Sequence, residues 1–209
     1  MTGSIAAYKA CDVLSQLIKQ GHQVQVCCSQ SALQFVGPAT LEGLTGRPVV
    51  SDLYAAGNMM DHIHLARWAD VIVVAPATAN YLNKISCGIG DDLLTTLFLA
   101  HDFKKPFLIF PAMNTAMYEH PITQKSIRDL KQIGIQIFPT GHGDLACGET
   151  GSGRLLEPAE IFQHITNALA PINNHKDTGN ENGNGLGKKI LITSGGTQEP
   201  IDAVRVLTN

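Results

Sequence analysis

Residues 70–76 read DVIVVAP, and their reading decides the fold. An unbroken apolar run, Val71 to Ala75, follows Asp70. A strand with one wet face alternates apolar and polar residues. A continuous β-branched run marks a strand buried on both faces, as in parallel sheets covered by helices on each side. PFLIFPA (106–112) repeats the pattern, and QVQVCC (23–28) and IQIFP (135–139) are shorter β-prone runs. Helical spacing fills the intervals. Ile5, Ala6, Cys11, Val13, Leu14, Leu17 and Ile18 share a face that ends at Gly21. Two short helical pieces flank Gly37-Pro38, HLARWA closes another helix, and residues 78–100 are helical with a break near Gly88. QKSIRDLKQIG is amphipathic, and EPAEIFQHITNALA (157–170) completes the series.

Strands alternating with helices predict an α/β fold: a flavodoxin-like, doubly wound parallel sheet in three layers, α/β/α. Ligands of such sheets bind outside the carboxyl ends of the strands. The unusual polar motifs fall there: Ser29-Gln30-Ser31 after QVQVCC, Pro76-Ala77-Thr78-Ala79-Asn80 after DVIVVA, and Pro111-Ala112-Met113-Asn114 after FLIF. Gly3-Ser4 reads as a βα turn, yet only two residues precede it. The first strand, central in this order, is therefore expected to be missing through truncation, leaving a weakened sheet. Residues 1–170 form the main domain. PINNHKDTGNENGNGLG (171–187) has the composition of a linker. Residues 188–209 start with a strand and a Gly-Gly turn, the first βα step of a second, Rossmann-like domain cut short.

Composition narrows the function classes. Hydrophobic residues make up 44% of the 209 and charged ones 16%, an ordinary globular balance. A net charge of −3 provides no footprint for nucleic acid or an anionic membrane. No apolar run approaches the roughly 18 residues of a membrane span, and MTGSIAAYKACD has neither the basic nor the apolar region of a signal peptide. Five cysteines without a CxxC fit a reducing cytoplasm, not a disulfide framework.

Several residues are candidates for chemistry, each with a plainer alternative. Gly3-Ser4 at a helix start could hold an anion such as a phosphate or serve as an ordinary N-cap. Ser29 and Ser31 could bind the same phosphate or cap the next helix. No GxGxxG or Walker loop is present, so NAD and ATP have little support. Asp61-His62-Ile63-His64 suggests metal ligands, but on a helix the two imidazoles diverge by about 200° and cannot reach one ion. A single catalytic histidine or surface histidines are the alternatives. Asn114 could hold a carboxylate or a ring carbonyl, or cap the next helix. Met59, Met60, Met113 and Met117 read as core fillers. Cys147, within GDLACGETGSG (143–153), is either an inert loop cysteine or a mobile, accessible thiol acting as acid or nucleophile.

Together, GSIAAYK, HIHLARWADVIVVAPATANYLNKI, PAMNTAMY and LACGETGSGRLLEP resemble the flavin-dependent cysteine decarboxylases. They are similar to the decarboxylase half of the bacterial bifunctional phosphopantothenoylcysteine decarboxylase/phosphopantothenate–cysteine ligases. The tail GKKILITSGGTQEPIDAVRVLTN resembles the opening of the ligase half, without its CTP-binding body, so ligase activity is not expected. The resemblance implies FMN as cofactor, held at its phosphate by Gly3, Ser4, Ile5, Ser29, Gln30 and Ser31, with Thr78, Ala79, Asn80, Tyr81 and Ala112 lining the flavin. It implies His62, rather than His64, as the active-site histidine and Asn114 as the grip on the substrate carboxylate. Asp144, Leu145 and Ala146 fall in a flap over the substrate, with Cys147 as proton donor; the flap glycines would let it move. The implied reaction converts 4′-phosphopantothenoylcysteine to 4′-phosphopantetheine in coenzyme A biosynthesis, by transient thiol oxidation, loss of carbon dioxide and reduction of the enethiol. The implied assembly is a cytoplasmic homo-oligomer, a trimer or built from trimers. Tyr118 stands where several relatives carry Trp. Rival readings are a peptidyl-cysteine decarboxylase, a non-catalytic flavoprotein regulator, and a metal-dependent hydrolase using Asp61, His62 and His64.

Overall fold

A computed structural model describes residues 1–53, 60–146, 148–170, 187–194, 198–200 and 206–208. Cys147, Met59, Gly196-Thr197 and all of the expected linker except Gly187 lie outside the described residues. The elements run α1 (Ala7–Lys19), β1 (Gln23–Cys28), a short 3₁₀ turn (Ala32–Gln34), α2 (Pro38–Thr45), α3 (Asp61–Trp68), β2 (Val71–Ala77), α4 (Ala79–Ser86), α5 (Leu93–Leu99) and β3 (Phe107–Pro111). They continue with α6 (Thr115–Glu119), α7 (Pro121–Gln132), β4 (Gln136–Ile137), β5 (Gly141–Asp144), β6 (Thr150–Arg154), α8 (Pro158–Leu169), β7 (Lys189–Ser194), β8 (Gln198–Pro200) and β9 (Val206–Thr208).

Five strands form one parallel sheet in the order β1-β7-β2-β3-β4. DVIVVAP becomes its central stretch, and the period of two sorts that run onto two cores. Val71, Val73 and Ala75 join Leu108, Phe110, Ile190 and Ile192 beneath α1, α2 and α8. Ile72 and Val74 join Phe107, Ile109 and Leu191 beneath α3, α4, α5 and α7, and Ala77 reaches the same side through the register shift after Val74. Full burial of one such side chain contributes about 1.5–3 kcal/mol, which is why both faces of these strands stay apolar.

The central position of the sheet is held by a strand from the far end of the chain. β7 lies between β1 and β2, pairing Gln23 to Cys28 with Lys189 to Ser194 on one side and Val71 to Val74 with Ile190 to Thr193 on the other. Asp70 fixes its start: the Asp70 N–H donates to the Lys189 carbonyl at 2.7 Å, and the Lys189 N–H donates to Asp70 Oδ2 at 2.8 Å. Among the described residues no strand precedes α1, as the sequence led one to expect, and an apolar β-branched segment from the far end of the chain takes the central position instead. Met1 and Thr2, both fully buried, sit at the carboxyl edge of the same slot. There Met1 N donates to the Cys27 carbonyl at 3.4 Å and Thr2 N to the Pro76 carbonyl at 3.0 Å.

The glycine-rich stretch read as a loop forms a hairpin, β5 antiparallel to β6. Its sequence lacks strand formers; pairing partners outside it hold it. Met113 N donates to the Gly153 carbonyl at 2.9 Å, the Thr115 hydroxyl to the Ser152 carbonyl at 2.7 Å, and Gly153 N to Thr140 Oγ1 at 3.0 Å. β8 and β9 form a separate antiparallel pair. Among the described residues no helix is long and apolar enough to cross a membrane.

Candidate active site

A cavity of about 500 Å³ opens at the carboxyl edge of the sheet, between the start of α1, the turn after β3 and the tip of the hairpin. That volume lies in the range of small-molecule sites. Of the residues expected to bind cofactor or substrate, Ser4, Ile5, Ala112, Asn114, Asp144, Leu145 and Ala146 line it. Asn114 caps α6, its Oδ1 accepting from the Ala116 N–H at 2.8 Å. The carbonyl oxygen thus serves the helix, as the capping reading expects, and the amide nitrogen faces the hairpin.

The remaining phosphate candidates stand beside the cavity. A Cβ on Gly3 would lie 2.8 Å from the Ser31 Cβ, so only glycine lets the α1 turn approach the segment after β1 this closely. Ser29 Oγ accepts from the Ala32 N–H at 3.2 Å, and Gln30 Nε2 donates to the Ser51 carbonyl at 3.3 Å. Ser29 and Ser31 are both buried. Ser4 Oγ accepts from the Ala6 N–H at 3.3 Å. The Gly3 and Ile5 N–H groups meet no acceptor among the described residues, and the buried Thr2 hydroxyl is likewise unpaired. Orphaned donors at a helix start, in a turn that a Cβ would block, fit an anionic group.

Thr78 is the N-cap of α4, accepting from the Tyr81 N–H at 3.4 Å, and Ala79 is buried behind it. Asn80 is half-buried. Tyr81 packs in the core under α4 and does not line the cavity. Burial pushes its hydroxyl above the usual tyrosine range, the Asp92 charge adds to the shift, and the Thr193 hydroxyl of β7 opposes it. Ala112 N donates to the Ala77 carbonyl at 2.9 Å, which joins the two strand ends beside the cavity.

His62 is elsewhere. It lines a second cavity of about 490 Å³ with Ile63, Ala66, Arg67, Thr96, Leu99, Ala100 and Asp102, which shares no residue with the first. Its Nδ1 is buried with no partner among the described residues. His62 and His64 lie on one helix, α3, and among the described residues no three His, Cys, Asp or Glu side chains gather as metal ligands.

Three polar groups were not singled out from the sequence. Lys9 and Arg154 line the first cavity and share the Glu157 carboxylate, at 2.8 and 3.1 Å. The Lys9 side chain is only 9% exposed. The signal was a cation on the apolar face of α1, one turn after Ile5. The third, Glu149, accepts from Asn114 Nδ2 at 3.1 Å.

A doubly wound sheet with a ligand cavity at its carboxyl edge and a hairpin across the mouth defines a flavodoxin-like binding protein. The chain belongs to the Flavoprotein family, which it matches over residues 1–170; residues 186–209 match the DNA/pantothenate metabolism flavoprotein C-terminal domain. It is 41% identical over its whole length to the coenzyme A biosynthesis bifunctional protein CoaBC of Vibrio cholerae, covering 50% of that protein. It is 42% identical to the CoaBC protein of Bacillus subtilis, again covering 50% of it. The chain therefore spans about half the length of these curated relatives. Among solved structures it is similar to a PPC decarboxylase mutant complexed with pantothenoylaminoethenethiol, with TM-score 0.69 and 34% identity over 79% of this chain and 92% of that one. The FMN binding protein AtHal3 gives TM-score 0.66 at 34% identity, over 79% and 91% of the two chains. The cofactor of this family is a flavin, and the orphaned donors around Gly3 fit its charged end.

Proposed function

We propose that residues 1–170 carry out flavin-dependent decarboxylation of 4′-phosphopantothenoylcysteine to 4′-phosphopantetheine in coenzyme A biosynthesis, with FMN as the flavin. One observation carries the reading: Ser4, Ile5, Ala112, Asn114 and the hairpin tip 144–146, far apart in sequence, line a single cavity. The likeness to CoaBC proteins and to a PPC decarboxylase supports the choice of substrate. We read residues 188–209 as the beginning of a ligase domain, in keeping with their family match.

A cysteine carboxylate has no electron sink on its neighbouring carbon, so direct loss of carbon dioxide would leave an unstabilised carbanion. Bound FMN would supply a reversible acceptor for the electrons of the thiol end, which turns sulfur into that sink. The chain's part is positional. Gly3 and Ile5 N–H groups, with the Ser4, Ser29 and Ser31 hydroxyls and Gln30, hold the phosphate; Thr78, Ala79, Asn80 and Ala112 border the ring. Tyr81, buried under α4, supports that border from behind. Asn114 Nδ2 donates to the substrate carboxylate and fixes its orientation. Asp144, Leu145 and Ala146 cover the substrate and exclude water, and Cys147 returns a proton to the enethiol carbon.

His62 acts as base or stabiliser at the thiol step. Because it does not line this chain's own cavity, we infer that a neighbouring copy supplies it, in a cytoplasmic homo-oligomer, trimeric or built from trimers. The test is release of carbon dioxide from phosphopantothenoylcysteine by the yellow, flavin-loaded protein.

A further inference from the structure

The Asn114 amide is already answered by a carboxylate of the protein. Its Oδ1 is committed to the Ala116 N–H at 2.8 Å, which turns the NH₂ group away from α6 and toward the hairpin. There Nδ2 donates to Glu149 Oε2 at 3.1 Å. Glu149 closes the hairpin tip: its carbonyl accepts from the Leu145 N–H at 2.8 Å, and Leu145 lines the cavity. The other acidic side chain of the tip is engaged differently, since Asp144 Oδ1 accepts from the Thr150 hydroxyl at 2.7 Å. Glu149 is therefore the tip carboxylate that meets Asn114.

We propose that Glu149 is a resident stand-in for the substrate carboxylate and so limits how strongly the site prefers an acid to its decarboxylated product. The inference rests on the reading that Asn114 receives the substrate carboxylate. An incoming acid replaces one carboxylate on the amide by another, so a charge-assisted hydrogen bond is lost and a like one formed. Two carboxylates repel each other at such range, so the exchange moves Glu149, and with it the Leu145 end of the tip, off Asn114. A ligand without the carboxylate cannot make the exchange. Once carbon dioxide has left, Glu149 returns to Asn114, to which the product, without a carboxylate, makes no competing bond.

Calorimetry on the flavin-loaded protein tests this with two ligands: phosphopantothenoylserine, an acid that carries a hydroxyl in place of the thiol, and phosphopantetheine, which has no acid. Glu149→Ala removes the competitor. It should tighten the acid by roughly three- to ten-fold, the size of one exposed hydrogen bond, and change phosphopantetheine less than two-fold. Glu149→Gln keeps an acceptor without the charge and should give a smaller gain for the acid. Equal changes for both ligands, no change for either, or weaker acid binding would overturn the role of Glu149. The underlying reading has its own readout. Asn114→Ala should abolish the preference for acid over product, and a preserved preference would reject Asn114 as the carboxylate's partner, whatever Glu149 does.

Discussion

Gly153 and Met113 lie backbone to backbone: the Met113 N–H donates to the Gly153 carbonyl at 2.9 Å, and a Cβ on Gly153 would stand 2.2 Å from the Met113 oxygen. Gly153 also sits at φ +123°, where a side chain is strained. This contact seats the hairpin against the turn that carries Asn114. Gly153→Ala should cost about 2–4 kcal/mol of stability, strain plus displacement of a backbone, and should raise KM as the tip shifts. Urea unfolding with steady-state kinetics checks both, and unchanged values would show that the hairpin is not held here.

The Lys9–Glu157 pair ties α1 to the start of α8 beside the same cavity. Lys9, and to a lesser degree Arg154, hold the Glu157 carboxyl below the usual range. Glu157 is 54% exposed, so solvent screens much of that interaction, whereas Lys9 is buried. Glu157→Gln should therefore cost about 1 kcal/mol at neutral pH, chiefly by leaving the Lys9 ammonium without its counter-charge. A carboxyl with a depressed folded pKa stabilises above its unfolded pKa, and that contribution is lost as pH falls through the folded value. The gap between wild type and Glu157→Gln should accordingly close in acid. Denaturant midpoints from neutral to strongly acidic pH measure it.

β7 stands at the centre of the sheet although it comes from the end of the chain. Leu191 is fully buried among Ile72, Val74 and Ile109, whereas Lys188 is exposed. Leu191→Ala should cost about 2–5 kcal/mol, as for other buried leucines, and Lys188→Ala almost nothing. Equal, small effects in thermal melts would place β7 outside the sheet.

These elements show how far the sequence could be read. DVIVVAP and PFLIFPA gave strands β2 and β3 because an apolar run covered on both faces needs no partner to be recognised. KKILITS was equally legible as a strand, but its place was not, since periodicity encodes faces and not neighbours. The hairpin GHGD/TGSGR was invisible for the opposite reason: its glycines carry no strand preference, and Met113 and Thr115 supply its hydrogen bonds. Around the cavity, Ser4 and Asn114 stood out from their positions at a helix start and after a strand, whereas Ile5 and Ala112 were marked only by the family resemblance. Lys9 and Glu149 became visible only through their partners Glu157 and Asn114.

The separation of His62 from the cavity makes the proposed assembly testable. His62→Asn and Asn114→Asp should each lower decarboxylation by about 100-fold or more, the scale of a lost acid–base or positioning group. Co-assembled, the two variants should regain a fraction of activity, because a mixed oligomer contains interfaces with one intact His62 and one intact Asn114. Activity no greater than the average of the separate variants would confine each site to a single copy.

The central claim is tested most directly by following carbon dioxide and product mass when phosphopantothenoylcysteine meets the purified, flavin-loaded protein. The account predicts carbon dioxide and 4′-phosphopantetheine in equal amounts with no net reduction of flavin, and from Cys147→Ser a decarboxylated product two hydrogens short. A folded, yellow preparation that binds the substrate and releases no carbon dioxide would contradict it.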